Sequence, residues 1–557
     1  MSIANLIDQF TERAPYKKAL FYPLVSKKDE DSETYYKHLT YAALRERAEK
    51  VTDGLRKRGV RKGTKVLLFV RPSLEFPVLA YALFKIGATA ILIDPGMGRK
   101  NLFKCIKDVK PEVLIAVPEV YLGKKIFPEV FKSIKTSIII DQSSSLKTTL
   151  AKLLNPDAIN FVEIEETGVN KNFTETVSDS DLAAIVFTSG GTGKPKGVEY
   201  THKIYKHQVE LLKETYGLTS DDVDLPAFPL FALFTLAMGM TVVIPDMDPT
   251  KPAKACPKTL VKHIENHGVT FAGGSPSIWE RVSRYCLDND MRLSSMKSLM
   301  MFGAPVAARI HEEFKNVLPN GTTYTPYGAT ECLPVSTISG KELLSENLND
   351  LSKQGKGTCV GRPAKGTEIK IINPVDGVIQ DIGEAIECGP GVKGEIIVKG
   401  VQATRSYHNE KEKTALAKIS DGKEFWHRMG DMGYVDSEGR LWFCGRSVHS
   451  MIFEGERIYS VNTESYFNNH PEVKRTALVN VGTDNLARPA LVVETYKKRA
   501  SKTLSNDLRK ISSENGLNEK ISDFYFDKSF PVDIRHNIKI DRKKLGIMAK
   551  RGELEQI

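Results

Sequence analysis

The 557-residue chain is 41% hydrophobic and 27% charged, with 79 Lys and Arg against 69 Asp and Glu and a formal net charge of +10. This composition excludes collagenous, solenoid and disordered classes, and the length exceeds what one ordinary core fills, so two or more domains are expected. The charge excess is mild: it admits an acidic small partner such as a nucleotide, while the basic runs Lys497–Arg499 and Arg542–Lys544 read as solvated faces, and nucleic acid is set aside.

Seven scattered cysteines with no C-x-x-C spacing fit reduced thiols rather than a disulfide frame or a zinc site, which points to the cytoplasm. The first residues lack a basic, then apolar, leader, so no signal peptide is expected. The most hydrophobic stretch, Leu230–Ile244, is shorter than the roughly 20 residues a bilayer requires, and reads as a buried helix running into a strand.

In chain order, Tyr41–Lys57 has helical spacing, Lys65–Val70 reads as a buried strand, Leu74–Ile86 as a helix and Ala88–Ile93 as a strand. Short apolar runs recur at Val113–Val117, Ser137–Asp141, Asp181–Phe187, Thr241–Ile244, Thr270–Ala272 and Leu299–Phe302. The alternation predicts an α/β fold with mostly parallel, layered sheets and ligand-binding loops at strand ends. Ser339–Lys356 turns polar and reads as a surface excursion. Gly366–Gly445 carries short strands and turns, a small β-rich subdomain, and beyond Arg446 a smaller α/β module follows. The boundary is placed at 446, giving a large domain over 1–446 and a small mobile one over 447–557.

Phe187–His202 is where the chemistry concentrates. An apolar strand ends in Thr188 and Ser189, and Gly190, Gly191 and Gly193 let backbone N–H groups converge on an anion, with Thr192, Lys194 and Lys196 beside them. Pro195 breaks the Walker A pattern. A plain Gly/Ser turn accounts for a short glycine run as well, so the string gains its meaning from four other stretches. Tyr324–Glu331 joins an aromatic ring, a turn, a hydroxyl and a carboxylate suited to a base and Mg²⁺. Asp431 follows a glycine and can accept ribose hydroxyls. Arg446 offers a cation one strand later, and Lys539 stands near the end of the chain.

Together these resemble the adenylate-forming superfamily of acyl-CoA synthetases, adenylation domains and luciferases, over nearly the whole chain. The resemblance implies ATP and Mg²⁺, with Thr188, Ser189, Gly190, Gly191, Thr192, Gly193, Lys194 and Lys196 as the phosphate loop and Gly303, Ala304 and Pro305 as the adenine turn. It assigns Tyr327, Gly328, Ala329, Thr330 and Glu331 to the adenine and magnesium motif, Asp431 and Arg446 to the ribose, and Lys539 to catalysis, with Glu331 as the metal ligand. A carboxylate would attack the α-phosphate of ATP, giving an acyl-adenylate and pyrophosphate.

Departures from the general pattern narrow the branch. Pro229-Leu230-Phe231-Ala232 lacks the gating histidine that acyl-CoA synthetases commonly carry, the hinge reads Ser447-Val448-His449-Ser450, and Lys539 lies in Arg535-His536-Asn537-Ile538-Lys539. The stretches Leu92–Gly98, Phe228–Phe234, Tyr327–Glu331 and Asp533–Asn537 resemble the olefin β-lactone synthetases of long-chain hydrocarbon biosynthesis. That likeness implies a long-chain β-hydroxy acid whose own hydroxyl closes the adenylate to a β-lactone without CoA. His449 is a candidate base for that hydroxyl, since an unperturbed imidazole titrates near 6.5, and a plain hinge histidine is the alternative. An apolar acyl pocket is expected from Phe228–Met240 and Gly273–Trp279, and the same residues also suit a core. The likeness further allows partner enzymes of the same biosynthesis and peripheral association with a membrane. The rival readings are a long-chain fatty acyl-CoA synthetase and, in another class, a non-catalytic nucleotide-binding scaffold.

Overall fold

The computed structural model describes residues 2–24, 34–141, 145–169, 173, 175–188, 195–483, 486–501, 503–532 and 540–557, without the side chains of Ser145 and Thr188. The phosphate-loop residues 189–194 and the segment 533–539 with Lys539 lie outside these described residues.

A seven-stranded sheet is built from the first third of the chain, in the spatial order 159–160, 136–139, 113–116, 65–69, 89–93, 182–188 and 196–201. Six of its strands run parallel, and the seventh, Lys196–Thr201, turns back antiparallel on Leu182–Thr188. The pairs Phe187 with Gly197 and Thr188 with Lys196 are the last described rungs of this hairpin before residues 189–194. A 14-stranded sheet among the described residues follows, parallel through 223–226, 271–274, 298–301 and 322–329, then antiparallel through 332–339 into the β-rich subdomain. The class is the expected α/β fold, with a large N-terminal unit and a small C-terminal one.

The largest core lies between the two sheets and is filled by the helices Tyr41–Lys57, Glu75–Ile86, His202–Tyr216 and Phe231–Ala237. Helix Glu75–Ile86 is buried from Phe76 to Ile86, which explains why its sequence shows almost no polar face. Its one cation, Lys85, is fully buried and meets Asp8 of helix Ile3–Arg13 at 3.0 Å and Glu49 at 3.6 Å. The stretch Leu230–Ile244 forms the expected helix, Phe231–Ala237, and strand, Thr241–Val243.

Residues 339–356 are not the surface excursion expected from their charges. Leu343 and Leu348 are buried, and the turn at 352–356 seats the C-terminal helix Ser460–Asn468. Asn462 donates through Nδ2 to the Gly355 carbonyl at 2.7 Å. Gly355 adopts φ +76°, and a Cβ there would stand 2.2 Å from the Tyr466 ring, so only glycine fits. The C-terminal unit then forms a four-stranded sheet from 473–480, 489–495, 523–526 and 555–556. Arg542 pairs with the buried Glu464 at 2.7 Å, tying the last helix, Arg542–Lys550, to Ser460–Asn468.

Candidate active site

The residues expected at a nucleotide site come from neighbouring strands of the large sheet. Tyr327 and Glu331 flank the turn between strands Thr322–Ala329 and Cys332–Ser339, and Asp431 and Arg446 face each other across the antiparallel pair Glu424–Val435 and Leu441–Arg446. The Tyr327 hydroxyl donates to Oδ2 of Asp431 at 2.6 Å, and Arg446 Nη1 donates to Oδ1 at 2.9 Å. Burial pushes the Asp431 carboxyl above its ordinary range, and the Arg446 guanidinium and the Tyr327 hydroxyl oppose that rise. A ribose diol presents hydroxyl donors to such a carboxylate. Gly303, Ala304 and Pro305 follow strand Ser298–Met301 as a turn, with Gly303 at φ +89°. The structure therefore brings the turn at 303–305, Tyr327, Glu331, Asp431 and Arg446 to one edge, with Lys196 of the hairpin alongside.

Lys196 is half-buried with its ammonium 4.5 Å from the centre of the Tyr407 ring, and burial lowers its pKa against the opposing pull of Glu331. Glu331 accepts from the Tyr407 hydroxyl at 2.7 Å through Oε1, and Oε2 accepts no hydrogen bond among the described residues. A hard carboxylate oxygen left without a hydrogen-bond donor among the described residues fits a magnesium ligand. Neither Tyr407 nor the backing residues Thr404 and Lys418 carries a signal in the sequence. Lys418 donates to the Thr404 carbonyl, and burial brings its pKa down to about 7.

His449 lies in a single turn, Ser447–His449, directly after Arg446. Burial, then Arg542 and Arg446, lower its pKa to about 4, so the imidazole is neutral near pH 7 and a weaker proton acceptor than the free side chain on which its candidacy rests. Thr188's backbone ends the strand beside Lys196, and its side chain, residues 189–194 and Lys539 fall outside the described residues.

Next to the adenine turn, Phe302 stacks on Phe231 at 5.0 Å and meets Phe228 edge-on at 6.0 Å. Beyond them a narrow apolar crevice is walled by Pro72, Phe76, Pro226, Pro229, Ala232 and Met247. Gly273 faces this side, since a Cβ there would be 3.3 Å from Phe302. Trp279 does not: it is fully buried in a second core with Ile310 and Phe314, so that end of the expected acyl pocket is core.

The fold and this edge define an adenylate-forming ligase: the profile of the AMP-binding enzyme family matches residues 7–408, and the chain belongs to that family. Among curated proteins it is 38% identical to an olefin beta-lactone synthetase of Xanthomonas campestris over 520 residues, 92% of this chain and 91% of that protein. It is likewise 38% identical to an olefin beta-lactone synthetase of Stenotrophomonas maltophilia over 526 residues, 93% of this chain and 92% of that one. Among solved structures, the anthranilate CoA ligase AuaEII in complex with anthranoyl-AMP matches with a TM-score of 0.78 at 19% identity, covering 99% of this chain and 98% of that chain. An o-succinylbenzoate CoA synthetase of Bacillus subtilis in complex with ATP and magnesium matches at 0.73 and 22% identity, over 97% and 99%. At these identities the structures establish the fold. No helix among the described residues is long and apolar enough to cross a membrane.

Proposed function

We propose that this protein activates a long-chain β-hydroxy acid with ATP and closes the resulting acyl-adenylate to a β-lactone. The observation that carries the reading is the 38% identity to olefin beta-lactone synthetases over more than nine-tenths of the chain, both domains included.

In the first step the substrate carboxylate attacks the α-phosphorus, the bond to the β-phosphate bridging oxygen breaks, and pyrophosphate leaves. Asp431 and Arg446 hold the ribose, the turn at 303–305 and Tyr327 the adenine, and residues 188–194 with Lys196 the phosphates. Glu331 would hold Mg²⁺, which when bound neutralises phosphate charge. Lys539, delivered by the C-terminal unit over 447–557, neutralises charge that builds on the α-phosphoryl oxygens. In the second step the β-hydroxyl oxygen attacks the acyl carbon, the acyl–phosphate bond breaks, AMP departs with the electron pair, and the hydroxyl proton passes to a base. Both reacting groups sit on one molecule, so proximity replaces a second substrate. The apolar cleft beside Ala232 receives the alkyl chain, in the space that a gating imidazole would otherwise occupy.

The test is mass analysis of products from ATP, Mg²⁺ and a long β-hydroxy acid, first without and then with CoA. Lactone and AMP without CoA support the proposal. A thioester with CoA and no lactone establishes an acyl-CoA synthetase instead, and no AMP under either condition establishes a non-catalytic scaffold.

A further inference from the structure

Residues 402–408 belong to none of the nucleotide motifs, yet they are stitched to two of them. On one side the Thr404 N–H donates to the Glu331 carbonyl at 2.8 Å, its hydroxyl donates to the same oxygen at 3.2 Å, and the Tyr407 hydroxyl reaches the Glu331 carboxylate. On the other, Tyr407 bridges Val198 of the phosphate-loop hairpin, the His408 N–H donates to Gly197 at 2.8 Å, and His408 Nδ1 lies 2.7 Å from Glu199 Oε1. Tyr407 itself is buried, and its backbone N–H is held by the Thr414 hydroxyl at 3.1 Å.

The terminal torsion of a glutamate is broad and roughly two-fold, so a carboxylate fixed only at its backbone presents either oxygen over a wide arc. A hydrogen bond from a buried phenol to Oε1 removes that freedom and leaves Oε2 as the oxygen without a donor among the described residues. The ring beneath the hydroxyl is held in turn by the Lys196 ammonium on the hairpin.

We propose that Tyr407 is the positioning residue for Glu331: it orients the carboxylate so that one defined oxygen is offered to a divalent cation, and it couples that orientation to the hairpin that grips the phosphates. This rests on the reading above that Glu331 holds the metal. Outer-shell hydrogen bonds to a ligating carboxylate typically carry tenfold to a hundredfold in metal affinity.

The experiment titrates Mn²⁺ into the full-length protein saturated with α,β-methylene-ATP, with free Mn²⁺ read by electron paramagnetic resonance, and measures AMP binding without metal by calorimetry. Tyr407→Phe keeps the ring and its contact with Lys196 while removing the donor. The expected result is a loss of Mn²⁺ affinity of about tenfold or more, with AMP affinity within twofold of wild type, and a loss at least as large for Glu331→Gln. If Glu331→Gln weakens Mn²⁺ and Tyr407→Phe does not, the positioning role is refuted and the metal reading stands. If Tyr407→Phe weakens Mn²⁺ and AMP alike, the residue is merely structural and the proposal fails. If Glu331→Gln leaves Mn²⁺ binding unchanged, the metal reading itself falls, and the positioning role with it.

Discussion

Asp224→Asn is expected to stabilise the protein at neutral and alkaline pH and to remove a pH dependence of folding. Asp224 stands on strand Val223–Pro226, fully buried, with Oδ2 accepting from the Thr235 hydroxyl at 2.7 Å and Oδ1 without a hydrogen-bond partner. Burial raises its pKa to about 7, and the Thr235 hydrogen bond offsets only part of that. A carboxyl whose folded pKa lies above its unfolded value of about 3.9 favours folding most below the unfolded value, where both states are protonated. As pH rises from about 4 to about 7 the unfolded chain ionises and the folded one does not, so stability falls throughout that window and levels off above it. At about 1.4 kcal/mol per pH unit, the fall comes to about 4 kcal/mol. Asparagine has the same shape, keeps an acceptor for Thr235 and cannot ionise, so the variant should lack this slope. The assay is urea unfolding of the wild type and the variant at intervals from pH 4 to pH 8. The midpoints should be close at pH 4 and diverge in favour of the variant as pH rises. Midpoints that stay parallel across the range, or a variant that is weaker at pH 8, would refute the reasoning.

The remaining predictions concern the two half-reactions. Lys539→Ala should lower ATP–pyrophosphate exchange by at least a hundredfold, equivalent to about 3 kcal/mol of lost transition-state stabilisation; unchanged exchange would remove the lysine from the adenylation step. Ala232→Phe should fill the cleft bounded by Pro72, Phe76 and Met247, cutting kcat/KM for long-chain acids at least tenfold while sparing short ones, at about 1–3 kcal/mol of overpacking strain. An equal loss for short and long acids would show that the chain goes elsewhere. For His449→Ala, acyl-AMP should accumulate without lactone, read by quenched-flow mass analysis, if the imidazole is the base. Lactone at the normal rate would move that role to another residue, an outcome that its pKa near 4 makes instructive.

The sequence patterns predict well where the physics is local. Tyr41–Lys57 is helical over the whole span that its spacing indicates, and the apolar runs from Lys65 to Phe302 form strands because each is short, buried on both faces and closed by a turn residue. The candidate site residues stand out in the sequence for a different reason: each lies in a chemically distinctive string, Glu331 in the turn after strand Thr322–Ala329, Asp431 after Gly430 within strand Glu424–Val435, and Arg446 at the end of strand Leu441–Arg446. What local pattern cannot show is which side chains meet across strands. Tyr407 is 76 residues from Glu331, and the pairing around Val198 together with the Thr404 contacts brings its hydroxyl within 2.7 Å of the carboxylate. Periodicity also does not say which face of a doubly covered sheet a residue joins, which is why Trp279 reads as a pocket wall and packs in the second core. In 339–356 the exposed Lys and Glu residues conceal Leu343 and Leu348, whose burial depends on neighbouring strands far away in the chain.

The buried cluster around Lys85 has a practical meaning for anyone choosing where to cut or tag this chain. Helix Ile3–Arg13 resembles a dispensable leader in position, but its Asp8 supplies one of the two carboxylates that neutralise an ammonium with no access to water, and it also takes the Tyr81 hydroxyl. Removing one partner of a buried ion pair typically costs about 3–5 kcal/mol, because the other charge stays behind. The smallest fragment worth expressing therefore begins before residue 3, and an affinity handle belongs on a linker ahead of Ser2 or at the other terminus.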